Sequence, residues 1–183
     1  MDVIQSGSLL IAEPFMKDPS FSRSVVLICT HQDKGTIGFM INKPYHKSLN
    51  ELMYNIDDLQ IPLFLGGPVN IDTVHFLHTR EDMIPDSFPL GNNLFWGGDF
   101  EQAINCIREG LIQLSEIKFF IGYAGWEIGQ LDNELAEKSW VIGDGNIPLI
   151  FNTPAKQIWT QALHEKGGDY AQLSNYPIDP SLN

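Results

Sequence analysis

Two histidines three residues apart, a serine behind an arginine, and carboxylates beside two tryptophans are the groups of this chain with chemistry to offer. On a helix, His75 and His78 would share a face and could chelate one metal ion. Val74 to Thr79 (VHFLHT) reads as a strand, where residues i and i+3 point to opposite faces, so no metal site is expected. Ser24 follows Arg23 where a strand begins, a setting for a hydroxyl bonded to backbone rather than an activated nucleophile. Glu127, Asp132 and Glu134 could supply paired carboxylates for acid–base work. At the start of a short helix, however, acidic residues are first explained by the helix dipole. Trp126 and Trp140 are expected as core or cleft walls rather than as a stacking platform.

Other common chemistries lack their motifs. There is no G-x-S-x-G, no G-x-G-x-x-G and no Walker loop, so neither a nucleophile elbow nor a phosphate cradle is expected. Cys29 and Cys106 form no CxxC or zinc spacing and are expected as buried thiols. The net charge of -12 repels phosphate backbones, and the eleven basic residues form no run. Direct nucleic-acid binding is therefore not expected. No basic leader or long apolar window is present, which predicts a soluble, cytoplasmic protein without a membrane segment. No cofactor is expected, and the partner, a small molecule or a protein, is left unidentified.

The elements that must position these groups follow from pattern. A chain of 183 residues with 43% hydrophobic content supports one substantial domain, taken as 1–183 with an extended tail from 169. The organising stretch runs from Lys118 to Trp140: a buried strand from Phe119 to Tyr123, a tight turn at Ala124-Gly125-Trp126, and a short acidic helix. Before it come strands over Gly7–Ala12, Ser24–Thr30, Thr36–Asn42, Pro62–Leu65, Val74–Thr79 and Leu94–Trp96. Ser48-Leu49-Asn50-Glu51 has the form of a capping box, and Asp99 reads as the N-cap of a helix ending at Gly110. After it, Trp140–Ile142 and Pro148–Phe151 read as strands, and Thr153-Pro154 starts a helix that Gly167 ends. Hairpin-length connections and only three or four short flanking helices predict an α+β fold with a mainly antiparallel sheet.

SGSLLIAEPFMKDPSFSRSVVLICTH, GTIGFMINKP, FLGGPV, FLH and GYAGWEIGQLDNEL, in this order, resemble the AlgH/YqgE family of bacterial proteins. The resemblance covers about Gly7 to Trp159. It implies a bent antiparallel sheet folded into a pseudo-barrel, with no established enzymatic activity, in a family whose members carry the label of transcriptional regulators. Glu127-Ile128 departs from a small residue and a proline in the family motif, and loss of the proline should loosen the turn; Asp132 departs from a glutamate, and its shorter side chain would reach less far if that carboxylate were catalytic.

The motif residues so matched make Arg23, Ser24, His31, Asn42, Pro44, Gly67, His78, Gly125, Trp126, Gln130 and Glu134 the candidate ligand or partner site. The leading expectation is a non-enzymatic binding or regulatory protein with a cleft at strand ends. There Trp126 is an apolar wall, and Asn42, Gln130 and His78 are polar contacts. The competing expectation is a small hydrolase-like enzyme using His31 or His78 as base and Arg23 as anion stabiliser.

Overall fold

The computed structural model describes residues 3–178. Its nine strands are β1 (Ser8–Ala12), β2 (Val25–Gln32), β3 (Gly35–Met40), β4 (Leu63–Leu65), β5 (Val69–His78), β6 (Phe88–Gly91), β7 (Leu94–Trp96), β8 (Ile117–Trp126) and β9 (Trp140–Asp144). They form one sheet in the order β6-β7-β5-β8-β3-β2-β1-β9, with β4 beside β8. Every pairing is antiparallel except β4 with β8. Five α-helices flank it: α1 (Leu49–Leu52), α2 (Phe100–Arg108), α3 (Gln130–Ala136), α4 (Ala155–Lys166) and α5 (Asp169–Leu173). The fold is α+β, as expected, and the sheet stays open, with β6 and β9 at its ends.

β8 joins two halves of this sheet. Its first half lies between β5 (His78↔Ile117 to Val74↔Ile121) and β4, and its last three residues pair with β3 (Thr36↔Trp126 to Gly38↔Ala124). The β5 register is interrupted at Gly122, whose φ of +68° suits glycine; Tyr123 still pairs with Val69 of β5, and the change to β3 comes at Ala124. A Cβ on Gly122 would lie 2.6 Å from the Gly67 carbonyl oxygen.

One apolar cluster draws on both halves, which is how the bend shows in the packing. Leu9, Leu27 and Phe39 from one half meet Leu77, Leu94 and Phe120 from the other, and Ile158 and Trp159 of α4 close over them. The opposite face is covered in two patches. α1 and α2 pack Leu49, Ala103 and Ile104 on Phe76, Ile117 and Phe119, while α3 packs Leu131 beside Trp126 and Trp140 on Leu10, Val26 and Met40. Each fully buried phenylalanine contributes about 2–3 kcal/mol, so the run Phe119-Phe120, with one ring on each face, ties both layers to β8.

Local signals hold where their chemistry is local. Glu51 accepts hydrogen bonds from both the Ser48 N–H and the Ser48 hydroxyl at 2.7 Å, and the Asp99 carboxylate accepts the Gln102 N–H at 2.9 Å. Corrections come where tertiary pairing overrides them. Ala124-Gly125-Trp126 is strand, not turn, because β3 supplies hydrogen-bond partners for it; the turn is Glu127-Ile128-Gly129, with Gly129 at φ +75°. Pro148–Asn152 is a π-helical turn rather than a strand. Thr153 does not cap α4; its hydroxyl donates to the Pro148 carbonyl at 3.0 Å, and Pro154 takes the cap position. The tail expected to be extended forms α5 over Asp169–Leu173, and its last five residues, 179–183, lie outside the described ones. β6, broken in sequence by Pro89, was not expected as a strand.

Candidate functional site

The eleven candidate residues separate into distinct groups. Around the end of β8, the Glu134 carboxylate accepts two indole N–H groups, from Trp126 at 2.9 Å and from Trp140 at 2.7 Å. Gln130 donates to the other oxygen of Glu134 at 2.9 Å and accepts the Glu127 N–H at 3.0 Å. Spacing explains the arrangement: Gln130 and Glu134 are one turn apart on α3, so their side chains lie beside each other. Both tryptophans are only 4% exposed, and Phe21 stacks on Trp126 and meets Trp140 edge-on. Glu134, Gln130 and the tryptophans therefore form a clamp that holds α3 against β8 and β9.

A second group surrounds the entry to β2. Asn42 Oδ1 accepts the Val25 N–H at 2.9 Å and Asn42 Nδ2 donates to the Arg23 carbonyl at 2.8 Å, which serves two backbone groups with one buried amide. Arg23 has a φ of 51°, its guanidinium lies 4.4 Å over the Trp159 ring, and it also donates to the Tyr176 carbonyl. Ser24, fully buried, donates to the Phe21 carbonyl at 2.8 Å. Pro44 ends the β3 course and bridges to Phe64 of β4. Replacing Asn42 by alanine leaves the Val25 N–H and the Arg23 carbonyl without partners, and a loss of about 2–4 kcal/mol in urea unfolding is expected.

The remaining candidates lie apart. Gly67 is buried against the backbone of Tyr123 and Ala124. His31, exposed on the β2–β3 hairpin, contacts the Thr36 hydroxyl at 2.7 Å. His78 lies at the far end of β5, paired with Ile117, whereas Trp126 is at the opposite end of β8. The single cleft expected to hold Asn42, Trp126, Gln130 and His78 together is thus not assembled.

Geometry also bears on the hydrolase reading. His78 Nε2 lies 2.9 Å from the Ser87 hydroxyl, a serine–histidine contact that sequence spacing did not suggest. His78 Nδ1 accepts the Arg80 backbone N–H at 3.1 Å, so its proton sits on Nε2, which faces the Gly97 carbonyl at 2.9 Å as a donor. The Ser87 hydroxyl is spent on the Ile84 carbonyl at 2.7 Å. With its one lone pair engaged, this imidazole has no site to take the serine proton, and burial holds its pKa below the ordinary value. Neither His31 nor His78 shares a hydrogen bond with Arg23 or Ser24. As the strand reading required, His75 faces the other way, among Phe39, Trp96 and Tyr123. Among the described residues, no three His, Cys, Asp or Glu side chains gather to hold a metal ion, and no helix is long and apolar enough to cross a membrane.

Three candidates do share one surface hollow. Gly125, Trp126 and Gln130 line a depression of about 690 Å³ that continues along Gln32, Thr36 and Tyr123. It has a polar rim on the β2–β3 hairpin and an apolar floor on β8.

Sequence reasoning missed Lys118, which is 9% exposed and donates from Nζ to the Ile41 carbonyl at 2.7 Å and the Ile150 carbonyl at 3.0 Å. Burial lowers its pKa to about 8. The signal was strand parity. In IKFFI, Ile117, Phe119 and Ile121 take one face, which leaves Lys118 on the inner face with Phe120.

Comparison with known proteins places these features in context. The family profile described as AlgH-like (DUF179) matches residues 9–171. A UPF0301 protein of Chlorobaculum parvum is 43% identical over 182 residues, covering 100% of this chain and 97% of the relative. A UPF0301 protein of Cytophaga hutchinsonii is 43% identical over 183 residues, covering 99% and 100%. The solution structure of the AlgH protein from Pseudomonas aeruginosa superposes with a TM-score of 0.74 at 26% identity, covering 97% of this chain and 98% of that one. A crystal structure of a Corynebacterium diphtheriae protein gives a TM-score of 0.81 at 20% identity, covering 96% and 94%, a likeness of fold.

Proposed function

This chain belongs to the AlgH-like family, and we propose that it is a non-enzymatic binding protein that presents the hollow at the end of β8 to a small-molecule or protein partner. The observation that carries this reading is the meeting of Gly125, Trp126 and Gln130 at an open surface, on a frame that the Glu134 clamp makes rigid. A preorganised floor lowers the ordering cost of binding, which is what a binding site needs from its scaffold. The groups that an enzyme reading would call upon, Ser24, His78 and Arg23, are instead engaged with backbone or core. Any regulatory effect would then be indirect, exerted through the partner, since a net charge of -12 opposes contact with DNA.

The test is native mass spectrometry of the protein taken gently from its own cells, beside a variant altered only at Gln32 and Lys34, the exposed residues of the hairpin that line the hollow: Gln32→Ala with Lys34→Ala. A co-purifying molecule, retained by the wild type and reduced at least tenfold by the rim variant at unchanged stability, is the expected result. A bare wild-type chain, or full retention by the variant, would overturn the reading.

A further inference from the structure

Lys118 stands out because its charge has no counter-charge. The ammonium lies behind 9% residual exposure, and among the described residues no carboxylate forms an ion pair with it. Buried cations are ordinarily paired, since carbonyl dipoles alone recover only part of the lost hydration. Two of its three N–H groups go to the Ile41 and Ile150 carbonyls. The third has before it the face of Phe64, whose ring centroid is 4.0 Å from Nζ, and an adjoining cavity.

That cavity, about 250 Å³, is walled by Ile61, Phe64, Ile117, Phe119, Phe151 and Pro154. Lys118 is the one titratable side chain on its lining. The charged groups on the surrounding elements are occupied or turned out. Glu116 pairs with Arg80, Lys43 is held by the Ser22 carbonyl, and Lys156 in the first turn of α4 is exposed. A second feature points the same way. The lining reaches Thr153 and Ala155 at the N-terminus of the twelve-residue α4, which has neither a side-chain cap bond nor an acidic residue in its first turn. Helix N-termini favour negative charge.

We infer that this cavity is a binding site for a small organic carboxylate, whose anion pairs with the Lys118 ammonium and whose apolar body fills the space beside Phe64 and Phe151. The site lies at the start of β8, away from the hollow at its end, and stands independently of the function proposed for that hollow.

Benzoate is a suitable probe, with benzamide as the uncharged analogue of the same shape. Each is titrated into the full chain and followed by backbone amide shifts. Expected are shifts in the segments 117–119 and 151–156 with benzoate, at least tenfold weaker binding of benzamide, and a similar loss in Lys118→Met. Because the ammonium must be charged to pair, and its pKa is about 8, the benzoate Kd should rise by about tenfold per pH unit above pH 8. Benzamide binding as tightly as benzoate, a Kd constant across that pH range, or shifts confined to other segments would overturn the assignment. Should Lys118→Met fail to fold, the analogue and pH comparisons on the wild type decide the matter alone.

Discussion

Replacing Glu134 by alanine is expected to destabilise the protein by about 3–5 kcal/mol. The estimate rests on one carboxylate accepting indole N–H bonds at 2.9 Å and 2.7 Å from tryptophans that are each 4% exposed. A buried donor left without its acceptor costs about 1–3 kcal/mol, and here two are orphaned together. Glu134 itself is only partly buried, so water entering the gap would bring the loss toward the lower end. Glu134→Gln keeps a carbonyl oxygen at the same reach without the charge, and should lose roughly half as much. Urea unfolding of the three proteins measures this, with m-values showing that the folded states remain comparable. A cost below about 1 kcal/mol for the alanine variant would mean that α3 is held by packing alone. Since Trp126 and Gln130 also line the surface hollow, the same variant should weaken binding there through loss of position rather than loss of contact.

The second large effect is expected at Gly67, where the cause is purely steric. An added Cβ would lie 2.1 Å from the Tyr123 carbonyl carbon and oxygen and 2.2 Å from the Ala124 nitrogen. Those atoms belong to β8 at the point where it leaves β5 and joins β3, so they cannot retreat without breaking the pairing of Gly38 with Ala124. Overpacking ordinarily costs about 1–3 kcal/mol because side chains can adjust. Backbone against backbone has no such freedom, and Gly67→Ala should lose about 4 kcal/mol or fail to fold. Gly129→Ala is the informative comparison. Its φ of +75° is unfavourable for alanine, but nothing lies within 4 Å, so a loss of only about 1–2 kcal/mol is expected. Thermal or urea denaturation would separate the two. Equal losses would mean that conformation rather than close approach governs Gly67.

These two predictions also reframe the motif from Gly122 to Glu134. Its density of glycine, tryptophan and polar side chains looked like a site. Much of it secures a strand that changes partners midway: Gly122 lets β8 come close to the backbone at Gly67, and Glu134 fastens the helix that follows. Within this stretch Tyr123, Gly125, Trp126, Glu127 and Gln130 also reach the hollow.

What the sequence determined by itself was set by local chemistry. Short apolar and β-branched runs bounded by turn residues identified most strands, and Ser48-x-x-Glu51 and Asp99 marked helix starts through bonds closed within four residues. The order of short connections implied an antiparallel α+β sheet, and the motif series implied the family. Tertiary structure decided everything that depended on a distant partner. Ala124 to Trp126 became strand because β3 offered hydrogen bonds, and Pro148 to Asn152 took a π-helical turn whose Ile150 carbonyl meets Lys118. Asn42, Trp126 and His78 were all motif residues, yet the register of β5, β8 and β3 carries them to different ends of the sheet. Lys118 shows the reason most plainly. Its parity within IKFFI was readable, but that its inner face would close without a counter-charge depended on Ile41 and Ile150, residues 77 and 32 positions away.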